Sequence, residues 1–286
     1  MGPATTDGFL LVDKPAGVTS HDVVALARRA FGQPRIGHAG TLDPFATGLL
    51  VLLLGRGTRL IPYLDAEPKV YEATIRFGAE TDTDDATGHV VREGEIPTAR
   101  AVDNVLATMT GDLQQLPPDY SAKQVGGVRA YHAARKGRPL ELSPVTVRVH
   151  AWTVREWRGA DLDVTVVCGG GTFVRALARD LGRAAGSAAH LAALRRIRAG
   201  GFDVAGAVTL DDLRESRACL RPLRDAVAHL PVEPLSADAR RLVAHGRSVP
   251  AHAAGDVAAL VDGDDLVAVG VRQDDVWQPR VVLRDG

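Results

Sequence analysis

Six consecutive apolar residues, Leu49 to Leu54, stand between two glycines in GLLVLLLG. The run is far too short to cross a membrane as a helix, and no longer uninterrupted apolar run occurs in the chain. Short, all apolar and glycine-bounded, it reads as a strand buried on both faces. Such a strand needs a substantial core around it. A chain of 286 residues, 45% apolar and 24% charged, is long enough to supply one, as a single large domain or a large domain plus a small one.

The neighbouring segments read as a mixture of elements. GFLLVDK (8–14) has the pattern of a strand ending in a Lys-Pro turn. TSHDVVALARRAFG (19–32) reads as a helix, with Thr19 and Asp22 in capping-box spacing and Val23, Leu26, Ala27, Ala30 and Phe31 as its apolar stripe. In VYEATIRFG (70–78), Tyr71, Ala73, Ile75 and Phe77 alternate with polar residues, which turns Tyr71 toward the inner face. TARAVDNVLATMTG (98–111) has a threonine start and a glycine stop, and DLDVTVVC (161–168) alternates like a strand before GGGT and the helical FVRALARDLG. Past residue 230, LPVEPLS leads to one helix and several short strand-like runs, which predict a small β-rich domain over 231–286 after a main domain over 1–230. Strands and helices without a regular βαβ alternation place the fold in the α+β class.

Charge and cysteine content narrow the function classes. A net charge of −1 gives no global positive field, so a polyanionic partner would be held by local patches. The two cysteines, Cys168 and Cys219, form no CxxC and no disulfide framework, and the N-terminal stretch lacks the basic and apolar regions of a secretion signal. Both features suit the cytoplasm.

Several motifs invite chemistry that their spacing does not sustain. DTDDATG (82–88) has a calcium-loop flavour, but its glycine falls one place late and Ala86 occupies a ligand position, so an acidic solvated turn is expected. GRGTRL (55–60) has two glycines of a dinucleotide fingerprint and no third. The nine histidines show no metal-ligand spacing, so no metal is expected, and CGGGT (168–172) has no histidine nearby to activate a thiol and reads equally well as a glycine-rich strand-to-helix turn. Basic residues are arranged more suggestively. Arg175, Arg179 and Arg183 recur every four residues on one helix face. Lys123, Arg129, Arg135, Lys136 and Arg138 crowd a proline- and glycine-rich segment interleaved with Tyr120 and Tyr131. Basic groups among stacking aromatics suit an RNA surface, while a stripe on a helix suits a solvated face equally well.

GHAGTLDPFATGLL (37–50) holds one carboxylate, Asp43, among glycines, threonines and apolar residues. If ionised in an apolar site it needs a cationic partner from elsewhere in the chain. The alternative is a turn or cap before Pro44. Spacing does not separate the two.

This loop closely resembles the signature of the TruB family of tRNA pseudouridine synthases. Further matching blocks follow in family order: DKPAGVTSHDVV (13–24), KVYEATIRFGAETDTDDATG (69–88), PPDYSAKQVGGVRAYHAARKG (117–137) and CGGGTFVRALARDLGRAAGSAAHLAALRRIRAG (168–200). The resemblance implies a pseudouridine synthase fold, with a central, mostly antiparallel mixed sheet flanked by helices and a PUA-like C-terminal RNA-binding domain. It implies isomerisation of uridine 55 in the tRNA T loop without a cofactor. Asp43 matches the catalytic nucleophile, Tyr71 the tyrosine that packs on the target base, Arg175 the arginine paired with the aspartate, and Leu194 an apolar pocket residue. Lys14 and His38 match residues near the site, His38 at the position associated with holding the T loop open. Residues 117–148 correspond to an RNA-gripping insertion; with the Arg179/Arg183 face they are the expected backbone contacts, and a monomer is expected. A non-catalytic tRNA-binding module, or a synthase for another RNA, are the alternatives; the intact Asp43, Tyr71 and Arg175 set the first apart.

Two departures from the family pattern stand out. Phe173 occupies a place where many relatives carry tyrosine, which removes a hydroxyl from the base pocket. In SAKQVGG the lysine is at 123, one place earlier than is common in the family.

Overall fold

Met1–Pro44, Leu49–Ala66 and Gly201–Gly286 gather into one unit, and Phe45–Gly48 with Glu67–Gly200 into another. The structure is a computed structural model, and it describes residues 6–283 except 66, 122, 135–137, 139 and 216.

In the first unit, β1 (Gly8–Lys14) leads to α1 (Ser20–Ala30), β2 (Ile36–Ala39) and β3 (Thr47–Leu54). The capping box expected at Thr19 and Asp22 is present in both directions. β3 pairs with β1 on one side and antiparallel with β2 on the other. Leu50, Leu52 and Leu54 join Val23, Val24 and Ala27 of α1 in one apolar cluster, while Leu49, Val51 and Leu53 are also at 2% exposure or less. The run is therefore buried on both faces, as its composition predicts.

The second unit is built on a meander. It contains β4 (Lys69–Phe77), the hairpin β5 (Ala79–Thr81) and β6 (Val90–Glu93), α2 (Ala99–Thr108) and β7 (Gly111–Gln115). Two short strands, β8 (Gln124–Val125) and β9 (Val128–Arg129), precede α3 (Ala130–Ala134). β10 (Val145–Arg158), β11 (Asp161–Cys168), α4 (Val174–Ala184) and β12 (Ala189–Ala199) complete it. The strands run in the order β12-β4-β11-β10-β7, each pair antiparallel, and Thr47–Gly48 lie parallel to Arg195–Arg196. The sequence pattern did not single out β10, the longest described strand at 14 residues: Val145, Val147 and Val149 alternate with Thr146, Arg148 and His150, but past residue 150 most of the strand is exposed and the alternation lapses.

Back in the first unit come β13 (Phe202–Asp203), α5 (Leu210–Arg214) and α6 (Leu223–Ala226). A five-stranded sheet follows, from β14 (Val232–Pro234), β15 (Val249–Pro250), β16 (Val257–Asp262), β17 (Asp265–Gln273) and β18 (Val276–Val282), with α7 (Ala237–Ala244) between β14 and β15. Its core, Val243, Leu260, Val267, Ala268 and Trp277, is separate from the cluster around β3. The fold is α+β with a β-rich C-terminal part, as expected.

Candidate active site

Asp43 sits half-buried in the loop joining β2 to β3. Gly40 turns the chain at φ +74, a conformation that favours glycine, and Pro44 restricts Asp43 itself to extended backbone. Both neighbours of Asp43 are tethered. On one side the buried Ser20 hydroxyl donates to Leu42 O at 3.2 Å and accepts from Leu42 N–H at 3.0 Å. On the other, Pro44 O accepts from Gly17 N–H at 2.8 Å and from Lys14 Nζ at 3.3 Å. Lys14 is fully buried and also donates to the carbonyls of Pro15 and Val18, at 2.9 and 2.8 Å. A buried ammonium is tolerated only when its donors are spent in this way. His38, on β2, packs edge-on against His21 at 5.5 Å between ring centroids. Lys14 is thus tied to the residue after Asp43, and His38 lies on the strand that leads into the same loop.

In the second unit, β4 and β12 present a buried face. Tyr71 pairs with Arg196, and Ala73 with Leu194, so Tyr71, Ala73, Leu194 and Arg196 point the same way. Tyr71 and Leu194 are 6% and 8% exposed, a tyrosine and a leucine walling one apolar face. Arg196, at 2% exposure, is a buried cation that the sequence reading missed, since Arg195, Arg196 and Arg198 look alike in LRRIR. Burial first, then Arg196, push the Lys69 ammonium below its usual pKa.

α4 carries the three arginines, and here two expectations need correcting. Arg175 and Arg179 do not form a solvated stripe, although Arg183 on the same face stays half-exposed, and the DTDDATG turn is not solvated throughout. Asp84 and Asp85 are 6% and 4% exposed, and Arg175 and Arg179 are 4% and 6%. Arg175 donates to Thr83 O at 2.8 Å and Tyr120 O at 2.9 Å, with Asp85 Oδ2 at 3.5 Å. Arg179 donates to Asp84 Oδ2 at 2.8 Å, Asp180 at 2.9 Å and Leu116 O at 2.8 Å. Arg183 engages Glu80, its side chain still half-exposed. The physical reason is proximity across 90 to 103 residues of sequence: the turn pairs its backbone with Leu191 of β12, which brings Asp84 and Asp85, with Glu80 of β5, against three arginines at one-turn spacing. Burial pushes the Asp84 carboxyl up to about 6, against the pull of Arg179 and Arg175. Burial also pushes Glu80 up, but Arg183 and Arg92 outweigh it and hold it below the ordinary range.

Phe173 is the N-cap of α4 and offers no side-chain cap. Gln115 brackets the backbone of that residue: its amide accepts from Phe173 N–H at 2.9 Å and donates to Phe173 O at 3.1 Å. Of the basic insertion, Lys123 and Arg138 are exposed and Arg129 is placed in β9, whereas Arg135 and Lys136 lie outside the described residues. Among the described residues no group of three or more His, Cys, Asp or Glu could hold a metal ion. No helix among them is long and apolar enough to cross a membrane.

Residues 28–174 match the N-terminal domain of TruB family pseudouridylate synthases, and residues 175–233 match the tRNA pseudouridylate synthase B C-terminal domain. The chain belongs to the TruB family. It is similar to the tRNA pseudouridine synthase B of Thermobifida fusca, 46% identical over 97% of this chain and 98% of that protein. It is also 42% identical to that of Mycobacterium tuberculosis H37Rv, over 95% and 93%. A Cbf5-Nop10-Gar1 complex contains a similar chain at 25% identity and a TM-score of 0.75, covering 97% of this chain and 85% of that one. An archaeal box H/ACA Nop10-Cbf5 complex gives 26% and 0.74, over 97% and 86%.

One unit holds the Asp43 carboxylate on a tethered loop; the other holds a buried aromatic and aliphatic face and the fixed arginines of α4. Ser20, Gln115, Asp85 and Arg196 are buried polar residues of these elements that sequence reasoning did not assign to the site. Ser20, Asp85 and Arg196 lie in the matched 13–24, 69–88 and 168–200 blocks, whereas Gln115 lies outside every matched block.

Proposed function

We propose that this chain converts uridine 55 of the tRNA T loop to pseudouridine, with Asp43 as the nucleophile. The observation that carries the proposal is identity of 42–46% with proteins named tRNA pseudouridine synthase B across 95–97% of the chain. The reaction breaks the N1–C1′ bond of uridine, turns the uracil and joins C5 to C1′; the C5 proton is lost and N1 gains one. No electrons are exchanged, so a carboxylate nucleophile suffices without a cofactor, attacking either ribose C1′ or base C6. The target must leave its stack, at a cost of a few kcal/mol that ring and pocket contacts offset. Tyr71 and Leu194 are the proposed pocket, with Phe173 at its edge. Arg175 takes the role of the family's arginine partner of the nucleophile. Lys14 holds the loop and His38 helps keep the T loop open.

Residues 117–148 act as the RNA grip through Lys123, Arg129, Arg135, Lys136 and Arg138, and 231–286 act as a PUA-like RNA-binding domain after a catalytic domain over 1–230. The enzyme works as a monomer in the cytoplasm. The test is incubation with unmodified tRNA transcript, followed by chemical mapping of pseudouridine. Product at position 55 is expected from the wild type and none from Asp43→Asn, which still binds tRNA. Turnover by that variant near the wild-type rate removes Asp43 from the mechanism.

A further inference from the structure

Ser20 occupies the first turn of α1, where a serine ordinarily faces solvent or helps the cap. The cap here is already complete through Thr19 and Asp22. Ser20 is instead 1% exposed, and its hydroxyl reaches 22 residues along the chain to the backbone of Leu42, as donor at 3.2 Å and acceptor at 3.0 Å. One small side chain therefore satisfies both polar groups of a residue that has no sheet partner. The Leu42 side chain is itself 4% exposed, so residue 42 is fixed through side chain and backbone together. With Pro44 O held by Gly17 and Lys14, residue 43 lies between two fixed points.

We propose that Ser20 is a positioning residue for the reaction: its two hydrogen bonds to Leu42 set the line along which Asp43 presents its carboxylate. The proposal rests on the reading of Asp43 as nucleophile. Ser20 does not touch the substrate; it acts through the Leu42 peptide. A nucleophile must meet its target atom in near-attack geometry, and a shift of one ångström is enough to lose most of the rate.

The test compares Ser20→Ala, Ser20→Thr and Asp43→Asn as full-length proteins on unmodified tRNA transcript, under single turnover with enzyme in saturating excess. Ser20→Ala is expected to slow product formation by about 100-fold, the order a small misplacement of a reacting group costs, while tRNA affinity is unchanged. Ser20→Thr, which keeps the hydroxyl, is expected to restore most of the rate. A merely structural role lowers the melting temperature and the active fraction but leaves the single-turnover rate of bound tRNA intact. If Ser20→Ala does not fold, Ser20→Cys replaces it with the same expectation, since a thiol is only a weak donor and acceptor. A wild-type rate in the Ala variant, or in Cys when Ala fails to fold, overturns the proposal if Asp43→Asn is inactive. An active Asp43→Asn overturns the nucleophile reading on which it rests.

Discussion

Arg179 Nη1 and Asp84 Oδ2 lie 2.8 Å apart with both side chains more than nine-tenths buried. They form the middle rung of a ladder whose other rungs are Arg175 with Asp85 and Arg183 with Glu80. Asp84 holds this place at φ +59, a backbone conformation uncommon outside glycine. The ladder joins α4 to the turn after β5, and through Leu191 to β12, so it helps set where Arg175 stands.

Asp84 should make stability depend on pH in an unusual sense. Its folded pKa, about 6, is above its ordinary 3.8, so its contribution is complete below about pH 3.8 and is lost as pH rises through 6. The excess stability of wild type over Asp84→Asn, measured by urea unfolding, should fall by up to about 3 kcal/mol between about pH 4 and pH 7. A difference that is flat or grows with pH contradicts the assignment.

Salt dependence should separate the two groups of basic residues. Replacing Lys123 or Arg138 with alanine removes one exposed cation from the RNA grip, and each replacement should reduce the slope of log affinity for tRNA against log salt by about 0.7–0.9. Arg179→Gln should leave that slope unchanged while lowering stability by about 3–5 kcal/mol, because it strands a buried acid. The opposite pattern would return Arg179 to the RNA surface.

Gly48 is where β3 meets β12. Its φ is +99, and a Cβ built there would lie 2.2 Å from the carbonyl oxygen of Arg196. Backbone on both sides cannot yield as a side-chain tip can. Gly48→Ala should therefore destabilise by about 3 kcal/mol or more in denaturant unfolding. Pseudouridine formation should fall with it, since Leu194 sits two residues from the contact.

Glu233 staples the C-terminal sheet. It accepts from the backbone N–H of His252 and Ala253, from the His252 ring and from Trp277 Nε1. Burial raises its pKa, but these bonds together outweigh burial and bring it down to about 2. The stabilisation is present above its ordinary 4.5 and is lost as pH falls toward 2. Glu233→Gln should lower stability by about 3 kcal/mol at neutral pH, with the gap to wild type closing in acid. A gap independent of pH would mean that shape, not charge, holds the site.

The parts legible in the sequence were those governed by local rules. The capping box at Thr19 and Asp22, the doubly buried β3 and the inward side of Tyr71 follow from propensity and periodicity, which act over a few residues. Asp43 was conspicuous because a lone acid in an apolar, glycine-flanked loop conflicts with ordinary burial preferences. Its loop carries enough family-specific residues to make the family legible too.

What only the tertiary structure decided were the partners. Three arginines at one-turn spacing look identical in sequence whether they face water, phosphate or acids. The docking of the 82–88 turn onto β12 is what buries two of them and leaves the third half-exposed. Ser20 and Leu42, Gln115 and Phe173, and Trp277 and Glu233 are likewise separated by 22, 58 and 44 residues. Hydrogen bonds reach about 3 Å and carry no mark in the chain before it folds. Sequence periodicity records which side of an element is apolar, whereas the pairing of one polar group with another depends on where the whole backbone has gone.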